Sequence, residues 1–191
     1  MPNYRLFQRK QYLIILVCLL LSSLMQLSPL NAHAQKNDTL YFDAHFKPIS
    51  KDSAYAYFRV LQRDAKGHAI GWVYDYYNSG ELQWKGHLLQ TDTAEVQDGT
   101  TTYYELDGHV TTIENYKNGK LNGITTTFYQ SGKTYFKGYF KDGIMQEPAC
   151  FLNENGTLKE RLHLRYGKRE GADTTFYENG AVFELNYYKD D

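Results

Sequence analysis

Apolar and polar positions follow two different rules along this chain. Between Tyr12 and Leu21 the apolar residues run without a break. From about residue 40 onward they come in short groups rich in Tyr, Phe and Thr, separated by Gly, Asn, Asp or Ser. No helix is expected after residue 34, because apolar positions there do not recur at helical spacing. Aromatic and β-branched residues between turn formers are instead the pattern of short strands.

The turn residues keep a period. Gly108, Gly132, Gly156 and Gly180 stand 24 residues apart, and so do Gly119, Gly143 and Gly167. Gly99, Gly123 and Gly171 form a third series, with Glu147 in the missing place. One unit reads Gly123-Ile-Thr-Thr-Thr-Phe-Tyr-Gln-Ser-Gly132, followed by a second strand from Thr134 to Phe140 and a second turn at Lys-Asp-Gly143. The nine-residue step from Gly123 to Gly132 recurs from Gly71 to Gly80, Gly99 to Gly108 and Gly171 to Gly180. From Gly80 to Gly108 the step is 28, which places four extra residues around Gln90 to Gln97. Gly67 stands four before Gly71, as Gly119 stands four before Gly123, so a half unit from Tyr55 to Gly67 precedes the first full one. Each unit is therefore two short antiparallel strands and two turns, since Gly and Asn accept the positive φ that tight turns need. Such units bury their apolar faces against their neighbours.

The second strand of each unit carries Leu82, Val110, Thr134, Leu158 or Val182 two residues after the turn glycine. It carries Leu88, Tyr116, Phe140, Leu164 or Tyr188 eight residues after it. Side chains alternate along a strand, so these two positions should share one covered face. The unit around Cys150 is irregular: Pro148, Cys150 and Asn153 replace Ile124, Thr126 and Tyr129 of the preceding unit. Proline lacks a ladder donor, so an edge or irregular strand is expected there.

These units resemble the bacterial variant of the MORN repeat, with its core Gly-x4-Tyr/Phe-Tyr-x2-Gly-x10-Gly-x3-Gly. The resemblance covers about residues 67–191. The stretch from Tyr41 to Ala54, with Tyr57-Phe-Arg59 and Asp75-Tyr-Tyr-Asn-Ser-Gly80-Glu-Leu-Gln83, is similar to the amino-terminal part of secreted MORN-variant proteins of the Bacteroidetes. Bacterial proteins of this kind are often called antitoxin-like. The resemblance implies an all-β fold of tandem antiparallel β-hairpin repeats forming an elongated, twisted MORN-type sheet. It also implies an interaction scaffold in a Gram-negative bacterium.

The amino terminus changes the picture of location. Arg5, Arg9 and Lys10 precede the apolar run, Pro29 follows it, and Ala32-His33-Ala34 offers small residues at the two positions a signal peptidase reads. This is the layout of a secretory signal peptide over residues 1–34, cleaved after Ala34. Residues 35–66 then form an N-terminal cap segment and half repeat, and residues 67–191 the repeat array. Membrane association is expected only if the leader is kept, and the apolar run is short for a span of ~20 residues. Cys18 lies inside the run behind Val17, so lipid attachment there is not expected. An exported chain of this kind would be periplasmic, extracellular or on the outer surface.

Charge and composition narrow the partners. Losing three basic residues and no acid takes the net charge from −1 to −4. A nucleic-acid partner is not expected, because it needs a basic footprint. Leu, Ile, Val and Phe number 31 of the 157 residues after Ala34, which alone borders on a disordered composition. The 16 Tyr, nine Phe and two Trp of that segment tip the balance toward an ordered, aromatic-rich core. Cys150 is the one cysteine left after Ala34, so no intramolecular disulfide forms.

No catalytic or metal residues emerge, and no cofactor is expected. His45, His68, His87, His109 and His163 show no ligand spacing. Cys150 and His163 could be read as a thiol–imidazole pair, but no local signature supports it. Asp142, Glu154 and Glu178 are turn residues. The glycines introduce strands, whereas a phosphate cradle needs a helix start. Candidate binding residues are aromatic: Trp72, Tyr74 and Tyr76 alternate on one strand face, and Trp84 lies in the same unit. Phe128 and Phe176 hold equivalent places later. Such columns more often form the core of an array than a ligand platform. The chain is read as a non-enzymatic scaffold for a protein partner at the cell envelope. The alternative is a cell-wall or glycan-binding module using exposed aromatic columns.

Overall fold

A computed structural model describes residues 37–89 and 96–189. The segment expected to be a leader, with Cys18 in it, and most of the four-residue insertion lie outside the described residues. The described chain is all-β. Its strands are β1 (Asn37–Phe42), β2 (Pro48–Ile49), β3 (Tyr57–Arg63), β4 (Ala69–Tyr77), β5 (Leu82–Leu89), β6 (Val96–Gln97), β7 (Gly99–Tyr104), β8 (Val110–Lys117) and β9 (Lys120–Leu121). They continue as β10 (Gly123–Phe128), β11 (Thr134–Lys141), β12 (Ile144–Leu152), β13 (Leu158–Leu162), β14 (Leu164–Arg165), β15 (Lys168–Arg169), β16 (Gly171–Phe176) and β17 (Val182–Tyr188). Fifteen of them form one antiparallel sheet in nearly sequential order, from β2 and β1 at one end to β17 at the other. The sheet is open and does not close into a barrel.

Two turn types alternate, and each follows from its residues. At Gly80, Gly108, Gly132, Gly156 and Gly180 the glycine N–H donates to the carbonyl three residues back, and that residue's own N–H donates to the carbonyl just after the glycine. This is the three-residue hairpin loop that ends in a left-handed residue. The second type is a two-residue loop at Asn118-Gly119, Asp142-Gly143 and Tyr166-Gly167, with positive φ at both positions. Gly67 departs from expectation. Its spacing to Gly71 matches that of Gly119 to Gly123, yet its turn has the bonds of the Gly80 type. Asp64, which turns its carboxylate onto the N–H groups of Lys66 and His68, shapes that longer loop.

Alternation along the second strands is not continuous. In five hairpins the register skips one residue: Gln83, Thr111, Tyr135, Lys159 and Phe183 have no cross-strand partner. This one-residue bulge resets which face each side chain takes. The column expected from positions two and eight is therefore corrected. Position eight is covered, with Leu88 and Leu164 buried. The cover continues through Trp84 and Leu162 at positions four and six, while Val182 at position two is 52 % exposed.

Most of the buried apolar residues gather in two clusters. Leu61, Val73, Trp84 and Leu88 form one, flanked by Leu40, Ala69 and Tyr103. Ala149, Leu162 and Leu164 form the other, flanked by Phe136, Met145 and Phe151. Pro148 lies in β12, which is interior, between β11 and β13. Residues 147 and 148 fall in a two-residue step of the β11–β12 register, so the missing N–H breaks no ladder bond. The strand is irregular, as the sequence suggested, but not an edge.

Candidate binding face of the first unit

The first unit has two different faces. Val73 and Asp75 point to the covered side with Trp84, while Trp72, Tyr74 and Tyr76 take the other. Trp84 is thereby corrected as a candidate: it is 7 % exposed and belongs to the core. Its ring lies over Gly86, where a Cβ would stand 2.5 Å from it. Beside it, Asp75 accepts two hydrogen bonds from Arg59, from Nε at 2.7 Å and Nη2 at 2.9 Å. The guanidinium also stands 5.7 Å from the ring centres of both Phe42 and Trp84. A bidentate, aromatic-sandwiched pair of this kind satisfies a charge that burial would otherwise penalise.

The open side is aromatic. Tyr41, Phe58 and Tyr76 are in register on three neighbouring strands. Phe58 and Tyr76 stack at 5.0 Å and 12°, and Tyr55 meets Tyr41 edge-on at 4.9 Å. These rings cover one another. Trp72 does not join them: it is 46 % exposed and meets His87 edge-on at 5.7 Å. A depression of about 290 Å³ opens next to it, lined by Trp72, Tyr74, Gly71, Val60, Leu61, Gln62 and Asn37. A step in the β3–β4 register creates it. Val60 pairs with Tyr74 and Gln62 with Ile70, so Leu61 alone faces residues 71–73. Sequence reasoning found Trp72 and Tyr74 but missed Asn37 and Gln62, which come from outside the regular repeat and meet through β1–β3 pairing.

Cys150 and His163 do line one cavity, of about 280 Å³, together with Glu147, Pro148 and Arg161. The groups around them are engaged structurally. Glu147 accepts from the Leu164 N–H at 2.9 Å, and Asp173 accepts from the His163 N–H at 2.6 Å. Asp173 is buried, and its second oxygen stands 3.4 Å from Arg169. Midway along the sheet, the Tyr116 hydroxyl donates to Glu114 at 2.9 Å. Burial first, and then Glu114, push the Tyr116 hydroxyl well above the usual tyrosine range. Burial likewise raises Tyr103.

The remaining histidines are turn or strand residues: His68 pairs with Asp64 at 3.1 Å, and His109 with Asp107. Among the described residues, no group of three or more His, Cys, Asp or Glu is placed to hold a metal ion. Among the same residues, no helix is long and apolar enough to cross a membrane. No protein-family model matches the chain, and a search of curated proteins returns no match.

Proposed function

We propose that this chain is an exported, non-enzymatic hairpin-repeat scaffold of the MORN-variant type that binds a protein partner at the cell envelope. The observation that carries the reading is the last strand. Among the described residues β17 pairs with β16 alone, leaving its other edge of N–H and C=O groups unpaired. Val182, Phe183, Leu185 and Tyr187 on that strand are 52, 56, 49 and 79 % exposed. An open edge beside large apolar side chains is the surface that strand addition uses, and that a solitary protein ordinarily blunts with charge. The basic and apolar leader supports export.

A partner captured from an envelope extract with the wild-type chain should be lost with Leu185→Asp and Tyr187→Asp together. The circular dichroism spectrum should stay unchanged. Equal capture by both chains would remove the reading. Export has its own test: amino-terminal sequencing of the secreted chain should begin at Gln35.

A further inference from the structure

We propose that the depression beside Trp72 is a saccharide subsite, in which a neutral sugar ring stacks on the indole and its hydroxyls reach Asn37 and Gln62. The site shares no residue with the β17 edge, so it stands or falls separately from the protein-binding reading.

Three observations converge there. The first is the placement of the indole. A two-residue step in register recurs at each junction between units, and the residue after the step's leading position is Trp72, Thr100, Ile124, Pro148 or Ala172. At the first junction this residue is an aromatic, nearly half exposed, and braced edge-on by His87. The second is the space itself: about 290 Å³, lined by Tyr74 and Val60 beside the indole, at the small end of ligand sites. The third is the rim. Asn37 and Gln62 are direct register partners on β1 and β3, so two amides stand side by side. Each amide offers two donors and an acceptor, which suits a hydroxyl that both gives and takes.

The chemistry of the lining excludes other occupants. It holds no Lys, Arg, Asp or Glu, so neither an anion nor a cation finds a counter-charge. A wholly apolar ligand would strip water from both amides and offer no hydrogen bond in return. A peptide strand cannot add beside the indole, because β3, β4 and β5 are paired on both sides there; the outer edge of β1 over Asn37–Leu40, which β2 leaves unpaired, is on the far side of β3 from Trp72. A sugar ring presents apolar C–H faces and a hydroxyl perimeter, which match an indole wall and an amide rim.

The test is calorimetric titration of the full chain with neutral trisaccharides of glucose and of N-acetylglucosamine. At least one probe should bind at millimolar concentration or better. Trp72→Ala should weaken that binding tenfold or more, and Gln62→Ala and Asn37→Ala severalfold each. All three variants should keep the wild-type urea midpoint. Fluorescence gives an independent reading, since the chain has two tryptophans and Trp84 is buried. Saturation should shift the Trp72 emission in a Trp84→Phe background that has folded. Silence from every probe, or binding unchanged in Trp72→Ala, overturns the proposal.

Discussion

The indole of Trp84 rests on the bare backbone of Gly86, and the ring of Phe136 rests in the same way on Gly138, two units along. In both cases a Cβ on the glycine would fall 2.5 Å from the nearest ring carbon. The aromatic at position four after the turn and the glycine at position six thus form one packing device. The ring covers what the glycine lacks, and the glycine lets the ring lie flat. A strand glycine usually weakens its strand, so alanine there would ordinarily help.

Here the opposite is expected. Gly86→Ala and Gly138→Ala should each destabilise the chain by about 1–3 kcal/mol, the usual result of overpacking. Urea unfolding measures it directly. The larger effect belongs to Gly86→Ala, because Trp84 is buried and has less room to swing away. A neutral or stabilising Gly86→Ala would mean that the ring is not fixed where it is described.

The Arg59–Asp75 pair makes a different prediction. Asp75 is buried, and both its oxygens are engaged by Arg59. Asp75→Ala leaves a largely covered guanidinium without its carboxylate and should cost roughly 3 kcal/mol. Replacing both, Arg59→Met with Asp75→Leu, should recover most of that loss, since two apolar side chains need no compensation. The double-mutant cycle in urea separates the two outcomes. If Asp75→Ala costs no more than a surface pair would, the pair is solvated and the cluster around Trp84 is looser than described.

Tyr166 sits in a turn made for other residues. The equivalent places hold Asn118 and Asp142, and all three have φ near +50°. Asn and Asp tolerate that region, whereas a bulky side chain is strained in it. Tyr166 is also 78 % exposed, so it repays little of the strain by packing. Tyr166→Asn should therefore stabilise the chain by about 1 kcal/mol. The loss of its exposed cation–π contact with Arg165 offsets about 0.5 kcal/mol of that gain and leaves a net stabilisation. Differential scanning calorimetry should show a higher Tm, and an unchanged or lower one would refute the assignment of strain.

How much of this was legible in the sequence depends on whether the signal was local. The turn glycines were, because their spacing repeats and their conformation is set by the chain itself. The bulges at Gln83, Thr111, Tyr135, Lys159 and Phe183 were not, since a skipped partner leaves no mark on composition. Without them, parity alone put positions two and eight on one covered face. The same limit governs the tryptophans. Trp72 and Trp84 are twelve residues apart in one unit. Only the pairing of β4 with β5 shows that one faces solvent and the other the core. Asn37 and Gln62 were invisible for a related reason: they lie 25 residues apart and become neighbours only when β1 joins β3.

The centre of the sheet should respond to alkali. Tyr116 is raised above its ordinary value of 10.0, first by burial and then by its hydrogen bond to Glu114. The folded state therefore holds the phenolic proton more tightly than the unfolded one. Stability from this group is fully present below the unfolded tyrosine pKa, and it drains away as pH rises past about 10 toward the folded value. Tyr103 shifts in the same direction for the same leading cause, and the two act together. Urea midpoints should thus fall between about pH 9 and 11. In Tyr116→Phe the decline should be shallower, because the group that loses its proton is gone. At neutral pH that variant should be somewhat less stable than the wild type, as Glu114 then loses a donor at a partly covered site. The discriminating quantity is the slope with pH, not the stability at one pH. A Tyr116→Phe slope equal to the wild type's would show that other groups govern the alkaline response.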